Sequence, residues 1–248
     1  MTDRVTLGMD ETGPMALSLL GGFALSVGGE VIPGISAECR RLLAFLALHG
    51  RVSTRAHVAG TLWPESTDER AHDNLRSAIA CLNDPARRAV EPTADNVGLS
   101  EDVVVDVHRS NALAHRLIDP DAAPDDTDLG GDDVSALSKD LLPGWYDDWA
   151  LIAAADWRWR RLEALEALAA RLTAAGRLPE AGAAALSAVR AEPLRESARA
   201  ALIRVRIAER NETEAVRELE RYRDLLQAEL GLEPTPRLSQ LLGDVGQR

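Results

Sequence analysis

The stretch that decides the fold is residues 55–84, RAHVAGTLWPESTDERAHDNLRSAIACLND. Trp63-Pro64 interrupts it, because proline lacks the backbone N–H that a continuing helix needs and restricts the residue before it. The pattern therefore predicts a helix-turn-helix, with a second helix from about Glu69 to Asn83. The inward, apolar side of that helix is predicted to consist of Ala71, Leu75, Ala78, Ile79 and Leu82.

The outward side of this second helix is polar. It carries Arg70, Asp73, Asn74, Arg76, Ser77, Ala80, Cys81 and Asp84. A polar helix face beside a helix-turn is how many regulators present side chains to the major groove of DNA. Arginine suits guanine, asparagine suits adenine and serine suits either base type. The candidate DNA contacts on this helix are Arg70, Asn74, Arg76 and Ser77.

The link before the first helix of the stretch carries candidate phosphate ligands. Ser53 or Thr54 can cap that helix, and free backbone N–H groups at a helix start bind anions. Arg51 and Arg55 flank the link. The sequence therefore predicts a phosphate contact by Arg51, Ser53, Thr54 and Arg55.

Short patterns on both sides of the stretch complete an N-terminal domain. Residues 17–32, LSLLGGFALSVGGEVI, predict small antiparallel strands joined at glycine turns. Residues 36–49 predict a helix capped by Ser36 and ended by Gly50. Residues 89–107 predict a hairpin. Strands, three helices and a hairpin, in that order, predict an α+β winged helix-turn-helix over residues 15–109, after a flexible tail at residues 1–14.

The second half of the chain has a different character. Residues 119–133, DPDAAPDDTDLGGDD, hold seven aspartates and no basic residue, which predicts a solvated loop rather than a calcium site. From residue 134 onward we expect helices only. AAGRLPEA at 174–181 aligns with AERNETEA at 208–215, 34 residues later, the period of tetratricopeptide repeats. Gly176 and, in the second copy, Asn211 are predicted to take the left-handed position between helices. Residues 110–248 are therefore predicted to form an all-α, tetratricopeptide-like domain.

Other candidate sites are less well supported by the sequence. Trp145, Trp149, Trp157 and Trp159 predict core or interdomain packing, with an exposed partner surface as the alternative. Cys39 is expected in the core, and Cys81 on the flank of its helix without a resolving partner for redox chemistry. The five histidines show no metal spacing, and no catalytic set can be nominated, so we expect neither a metal, nor a cofactor, nor an enzyme.

Several strings together resemble the SARP family, the Streptomyces antibiotic regulatory protein type of transcriptional activator. They are LGGFALSVGGE, RRLLAFLALHGRVSTR, LWPES, NLRSAI, VVVDV, LLPGWYDDW, AEPLRESARAALIRV and EAVRELERYRDLLQAELGLEP. The resemblance covers roughly residues 15–245 and implies an OmpR-like winged helix, with VVVDV closing the wing, followed by a bacterial transcriptional activator domain. It implies promoter repeats as ligand, RNA polymerase as partner and a homodimer on DNA. The ATPase module of larger relatives is not expected, because the chain has no GxxxxGK[ST] string.

Charge qualifies the DNA-binding hypothesis. The net charge is −12, which disfavours non-specific nucleic-acid binding, although residues 36–90 hold eight arginines against six acidic residues. The predicted wing has no Lys or Arg between Ala89 and Asp106. We therefore expect modest affinity from one copy, increased by dimerisation or polymerase contact. The alternatives are a protein-interaction adaptor whose winged helix has weak or no DNA affinity and, more remotely, a small-molecule sensor with a tryptophan-lined pocket.

Composition also bears on the compartment. No apolar run approaches the length of a membrane span, and the first residues lack a signal-peptide pattern. Two cysteines without close spacing favour a reducing compartment. The sequence therefore predicts a soluble cytoplasmic protein with no membrane partner.

Overall fold

The computed structural model describes residues 13–119, 121–122 and 135–243. The chain forms two compact units. We call residues 1–108 and 140–155 the N-terminal unit, and residues 109–139 and 156–248 the C-terminal unit. Of the predicted tail, residues 1–12 lie outside the described residues, and so does most of the acidic segment 119–133.

A four-stranded sheet begins the N-terminal unit. Its strands are β1 (Met15–Ser18), β2 (Ala24–Val27), β3 (Glu30–Val31) and β7 (Val103–Val105), in spatial order β3-β2-β1-β7. The antiparallel pairing of β1, β2 and β3 confirms the prediction for residues 17–32. The VVVDV segment does not close the wing as expected. It forms β7, which runs parallel to β1 and buries Val103 and Val105 in this sheet.

Three helices form the predicted core of the winged helix: α1 (Ala37–Leu48), α2 (Arg55–Leu62) and α3 (Asp68–Ala80). Ser36 Oγ accepts the N–H of Cys39 at the start of α1, as predicted. The segment before α2, expected as a link, is a strand, β4 (Val52–Thr54). Its three residues carry no periodicity of their own, and it exists because it pairs with a strand more than 40 residues later.

The third helix is shorter than predicted. It ends at Ala80 rather than Asn83, because the side chain of Asn83 caps a separate short helix, α4 (Asp84–Arg87), by accepting the N–H of Ala86. Pro85 lies in the first turn of α4, where its missing N–H costs nothing. Leu82 is nevertheless buried, as the apolar pattern predicted.

The wing is a three-stranded sheet in the order β4-β6-β5, where β5 is Val90–Pro92 and β6 is Asn96–Leu99. The predicted hairpin is therefore formed by β5 and β6, and its turn is closed by the N–H of Thr93, which donates to the carbonyl of Asn96. The next helix, α5 (Asp106–Ile118), begins at Asp106. The carboxylate of Asp106 accepts the N–H groups of Leu19 and Leu20, so it ties the start of α5 to the end of β1.

Residues 140–155 fold within the N-terminal unit. Leu141 forms an isolated β-bridge with Leu20, and the N–H of Leu142 donates to the carbonyl of Leu19 at 2.9 Å. Arg41 Nη2 contacts Asp147 Oδ1 at 2.6 Å. The expectation of helices only after residue 134 is wrong at this bridge, because the extended pairing depends on a partner strand far away in sequence.

Helices α6 (Asp148–Ala174), α7 (Leu178–Ala191), α8 (Glu196–Ala208), α9 (Glu212–Leu230) and α10 (Pro236–Gly243) follow. The 34-residue repeat is confirmed at the level of single hydrogen bonds. The N–H of Arg177 donates to Leu172 O, and the N–H of Asn211 donates to Arg206 O. The left-handed residue of the second copy is Arg210, with φ 57°, and not Asn211, which instead caps α9. The prediction of Asn211 was wrong by one residue. Asparagine is common both at left-handed positions after a helix and at helix N-caps, and here it occupies the N-cap.

Two of the tryptophans and the C-terminal helix α10 contribute buried side chains. Trp149 and Trp157 are buried, as predicted for core packing, whereas Trp159 is exposed. Leu238 of α10 is buried against a cluster formed by Ala200, Ile203, Ala215, Leu219, Tyr222 and Leu226. Within the described ranges, none of the helices is both long and apolar enough to cross a membrane.

Candidate nucleic-acid interface

Helix α3 divides into a buried and an open side. Ala71, Leu75, Ala78 and Ile79 are buried in the N-terminal unit. On the opposite side Arg70, Arg76 and Ser77 are exposed and Asn74 is half-buried. The four candidate base contacts therefore share one accessible side of the helix, which is the geometry that groove recognition requires.

The two arginines of this side differ in their partners. Arg76 pairs with the carboxylate of Asp73 one turn earlier, and both side chains are exposed, at 68% and 54%. An exposed pair of this kind contributes about 0–1 kcal/mol, so a phosphate or base can displace it. Arg70 makes no hydrogen bond or ion pair with the described part of the chain. Arg70 is thus free to bind a phosphate or a base directly, and Arg76 can do so once its ion pair with Asp73 is broken.

The start of α2 is less open than the sequence suggested. The N–H of Arg55 donates to the carbonyl of Asp95 in the wing turn at 2.9 Å, and the N–H of His57 donates to Thr54 Oγ1. Two of the first three amides of α2 therefore already have partners. The hydroxyl hydrogen of Thr54 and the half-buried side chain of Ser53 remain as polar groups at this point.

The two arginines that flank this link reach different parts of the chain: Arg51 reaches the connection from β6 to β7, and Arg55 reaches the wing turn. Arg51 Nη1 donates to Ser100 O at 2.8 Å and its Nη2 to Val103 O at 3.3 Å. Arg55 Nη1 donates to Thr93 O at 3.3 Å, which brings a positive charge to the turn of an otherwise acidic wing. The structure thus gives Arg51 a structural role that the sequence did not reveal, since both acceptors lie about 50 residues away. Its predicted phosphate contact stays a prediction.

Replacing Arg51 with methionine is expected to lower the free energy of unfolding of the N-terminal unit by about 1–2 kcal/mol, because two carbonyls lose a charged donor. Chemical denaturation followed by circular dichroism measures this loss. Arg55→Met is the matched control, since it removes one long, exposed hydrogen bond and is expected to change stability by less than about 0.5 kcal/mol. Equal losses in the two variants would contradict the structural role of Arg51.

Acidic side chains surround these cations. Asp68 and Glu69 lie in the first turn of α3, where they favour the helix but repel phosphate. The exposed acidic residues of the wing region are Glu91, Asp95, Glu101 and Asp102. The local field is therefore mixed, which favours contacts by individual arginines over a broad basic patch.

One contributor to the interface was missed from the sequence. Arg87 Nη1 donates to the carbonyl of Ile79 at 3.2 Å and so satisfies an open carbonyl in the last turn of α3. A basic residue just beyond a helix end is a signal for such a cap, but the predicted helix ran too far for it to be recognised. Arg87 holds the end of α3, and both Arg87 and Arg88 are exposed.

The expectation that Cys81 has no resolving partner is wrong. Cys39 Sγ and Cys81 Sγ lie 2.8 Å apart, in two residues separated by 42 positions. Cys39 is buried in α1 and Cys81 is exposed at the end of α3. Among the described residues, no group of three or more His, Cys, Asp or Glu side chains forms a metal-binding cluster.

Comparison with known proteins bears on the C-terminal half. The sequence profile of the bacterial transcriptional activator domain matches residues 134–245. The predicted SARP-type organisation, a winged helix followed by this activator domain, is confirmed. The matched profile describes a domain of transcriptional activators.

The described fold is also similar to that of a solved structure. It is similar to Mycobacterium tuberculosis EmbR, solved in complex with a low-affinity phosphopeptide, with a TM-score of 0.65 and 20% sequence identity. The likeness covers 94% of this chain and 65% of that protein, so the chain spans about two thirds of its length. At this identity the likeness shows the fold, a winged helix ahead of an all-α activator domain. No curated protein sequence matches the chain.

Proposed function

We propose that the chain is a sequence-specific DNA-binding transcriptional activator, which binds promoter repeats and contacts RNA polymerase. The observation that carries the proposal is the accessible polar side of α3, on a winged helix that precedes an activator domain. In this proposal residues 15–109 bind DNA, and residues 110–248 mediate dimerisation and polymerase contact in the cytoplasm.

The contacts follow from the chemistry of each side chain. Arg70, Asn74, Arg76 and Ser77 meet base edges or phosphates from the major groove. Thr54 and Arg55 lie at the wing turn, where a phosphate of the flanking backbone is expected. Because the wing is acidic, one copy binds modestly, and two copies side by side on a repeat supply the missing affinity through effective concentration.

The test is selection of DNA by the full chain. A random duplex library is enriched by retention on the protein, and the enriched sequence is titrated at about 50 and about 200 mM salt, where an affinity built on phosphate contacts falls steeply. Arg70→Ala and Arg76→Ala are each expected to weaken binding about 10–100-fold. Arg217→Ala is the control, because Arg217 is an exposed arginine that pairs with a carboxylate one turn earlier, Glu214, in the activator domain. Failure to enrich any sequence at low salt would reject the proposal.

Asp73 is expected to restrain binding. Asp73→Asn removes a charge that repels phosphate and releases Arg76, so the affinity for the selected duplex should rise about 2–5-fold, a free-energy gain of the size assigned to an exposed ion pair. The same titration measures it, with Glu214→Gln as the control that removes one carboxylate charge in the activator domain. An unchanged or lower affinity would mean that Asp73 is remote from the bound phosphates.

The protein-interaction adaptor remains the second candidate, and the acidic residues of the wing and of the first turn of α3 favour it. It predicts a folded full-length chain that retains no duplex at low salt. A third hypothesis, the small-molecule sensor, requires a ligand-induced change in tryptophan fluorescence.

A further inference from the structure

The sulfur atoms of Cys39 and Cys81 are closer than two thiols ordinarily approach. Their separation of 2.8 Å lies between a hydrogen-bonded contact and a disulfide bond of about 2.05 Å. Both sulfurs also point at one acceptor, the carbonyl of Ala78, at 3.3 Å from Cys39 and 3.5 Å from Cys81. A shift of less than 1 Å in either side chain therefore brings the two sulfurs to bonding distance.

The two cysteines have different environments. Cys39 is 1% exposed in the first turn of α1, and burial together with its hydrogen bond with Cys81 raises its thiol pKa to about 11. Cys81 is exposed and directly follows the last residue of α3, at the C-cap position. An oxidant in solution therefore reaches Cys81 first, and the sulfur of Cys39 lies next to the Cys81 sulfur on its buried side.

A metal does not account for this pair. Zinc takes four ligands, and the described residues offer no third or fourth His, Cys, Asp or Glu beside these two sulfurs. Two thiolates on one metal ion at about 2.3 Å each would also lie farther apart than 2.8 Å. The geometry matches sulfur–sulfur bond formation instead.

We propose that Cys39 and Cys81 form a reversible intramolecular disulfide on exposure to a peroxide, which makes the N-terminal unit a site of oxidative modification. The bond links the first turn of α1 to the end of α3, and closes a loop over the 42 positions that separate the two residues. This proposal rests on the positions of the two thiols and does not depend on whether the protein binds DNA.

The chemistry balances with hydrogen peroxide as the oxidant. The Cys81 thiolate attacks one peroxide oxygen, the O–O bond breaks, and hydroxide leaves and takes up a proton as water; Cys81 becomes a sulfenic acid. Cys39 sulfur then attacks Cys81 sulfur, the S–O bond breaks, and the departing hydroxyl leaves as water with the Cys39 proton. Two thiols and one peroxide give one disulfide and two waters. Proximity compensates for the high thiol pKa of Cys39 in the second step.

The experiment counts thiols on the full chain, which has two cysteines. Hydrogen peroxide is added, excess is removed, and free thiols are titrated in denaturant alongside intact mass. The expected result is loss of both thiols, a mass decrease of two hydrogen atoms in a monomer, a Cys39–Cys81 cross-linked peptide on non-reducing digestion, and full reversal by dithiothreitol. The oxidised chain should also unfold at a temperature several degrees higher, since the cross-link constrains the unfolded state.

Two variants test the order of events. Cys39→Ser leaves Cys81 without its partner, so the sulfenic acid is expected to persist and to be trapped by dimedone. Cys81→Ser leaves the buried Cys39, whose rate of peroxide oxidation should fall at least about tenfold relative to that of Cys81 in the first variant. The proposal is overturned if the oxidised wild-type chain keeps both thiols, if Cys81 gains oxygen while Cys39 stays a thiol, or if the disulfide joins two chains.

Discussion

Glu218→Leu is expected to lower the free energy of unfolding by about 3–5 kcal/mol, because it leaves a buried arginine without its carboxylate. Arg199 Nη1 donates to Glu218 Oε2 at 2.5 Å, and both side chains are only 9% exposed. The pair joins α8 to α9, and the guanidinium also lies over the ring of Tyr222 at 5.6 Å. Within the described residues the buried Nε of Arg199 has no hydrogen-bond partner, so loss of Glu218 would leave a second nitrogen of the same guanidinium, Nη1, without an acceptor.

Thermal and denaturant unfolding of the C-terminal unit within the full chain measures this loss. Glu220→Leu is the matched control, because Glu220 is an exposed glutamate on the same helix and its replacement is expected to stay within about 0.5 kcal/mol of wild type. The double variant Arg199→Met/Glu218→Leu should regain most of the stability, since apolar replacement of both partners is often neutral. If Glu218→Leu is no less stable than Glu220→Leu, the buried pair does not stabilise the activator domain.

Gly98→Ala is expected to destabilise the N-terminal unit by about 2–3 kcal/mol. A Cβ at residue 98 would lie 2.7 Å from the carbonyl oxygen of Arg51 and 3.2 Å from Val52 Cγ2. That oxygen accepts the N–H of Leu99 at 2.7 Å, so the methyl group would separate β4 from β6 at the bond that joins them. The backbone of Arg51 cannot move aside as a flexible side chain can, so the added methyl group should lower the stability.

The control for Gly98 is Gly60→Ala in the same unit. A Cβ at Gly60 would meet no atom of the described residues within 4 Å on the exposed side of α2, and alanine is the better helix former. This variant is expected to gain about 0.5–1 kcal/mol. One denaturation assay therefore reports two opposite effects of the same substitution. A tolerated Gly98→Ala would contradict the close approach of β4 and β6.

The features that the sequence predicted are those encoded locally. Ser36 and Thr54 cap the expected helices, the apolar stripe of α3 is buried, and the 34-residue repeat returns in identical hydrogen bonds. Each follows from residues within one or two helical turns, where periodicity and capping chemistry are decisive.

The features that escaped prediction depend on partners far away in the chain. Strand β4 exists through its pairing with β6, and β7 joins β1 rather than the wing. The contact between Cys39 and Cys81 needs α1 and α3 to be packed before it can be recognised. At the candidate interface the sequence identified the accessible arginines of α3. The hydrogen bonds of Arg51 to the carbonyls of Ser100 and Val103 could be recognised only from the fold.

The bridge between Leu20 and Leu141 bears on how this protein can be dissected. The match to the activator-domain profile begins at residue 134. Residues 140–155 nevertheless belong to the compact unit that contains the winged helix and contribute to its hydrophobic core. A fragment cut at residue 109 would lack the buried Trp149 and the carboxylate that holds Arg41. Fragment studies of DNA binding should therefore supply this segment, by fusion or as a separate peptide, before weak binding is attributed to α3.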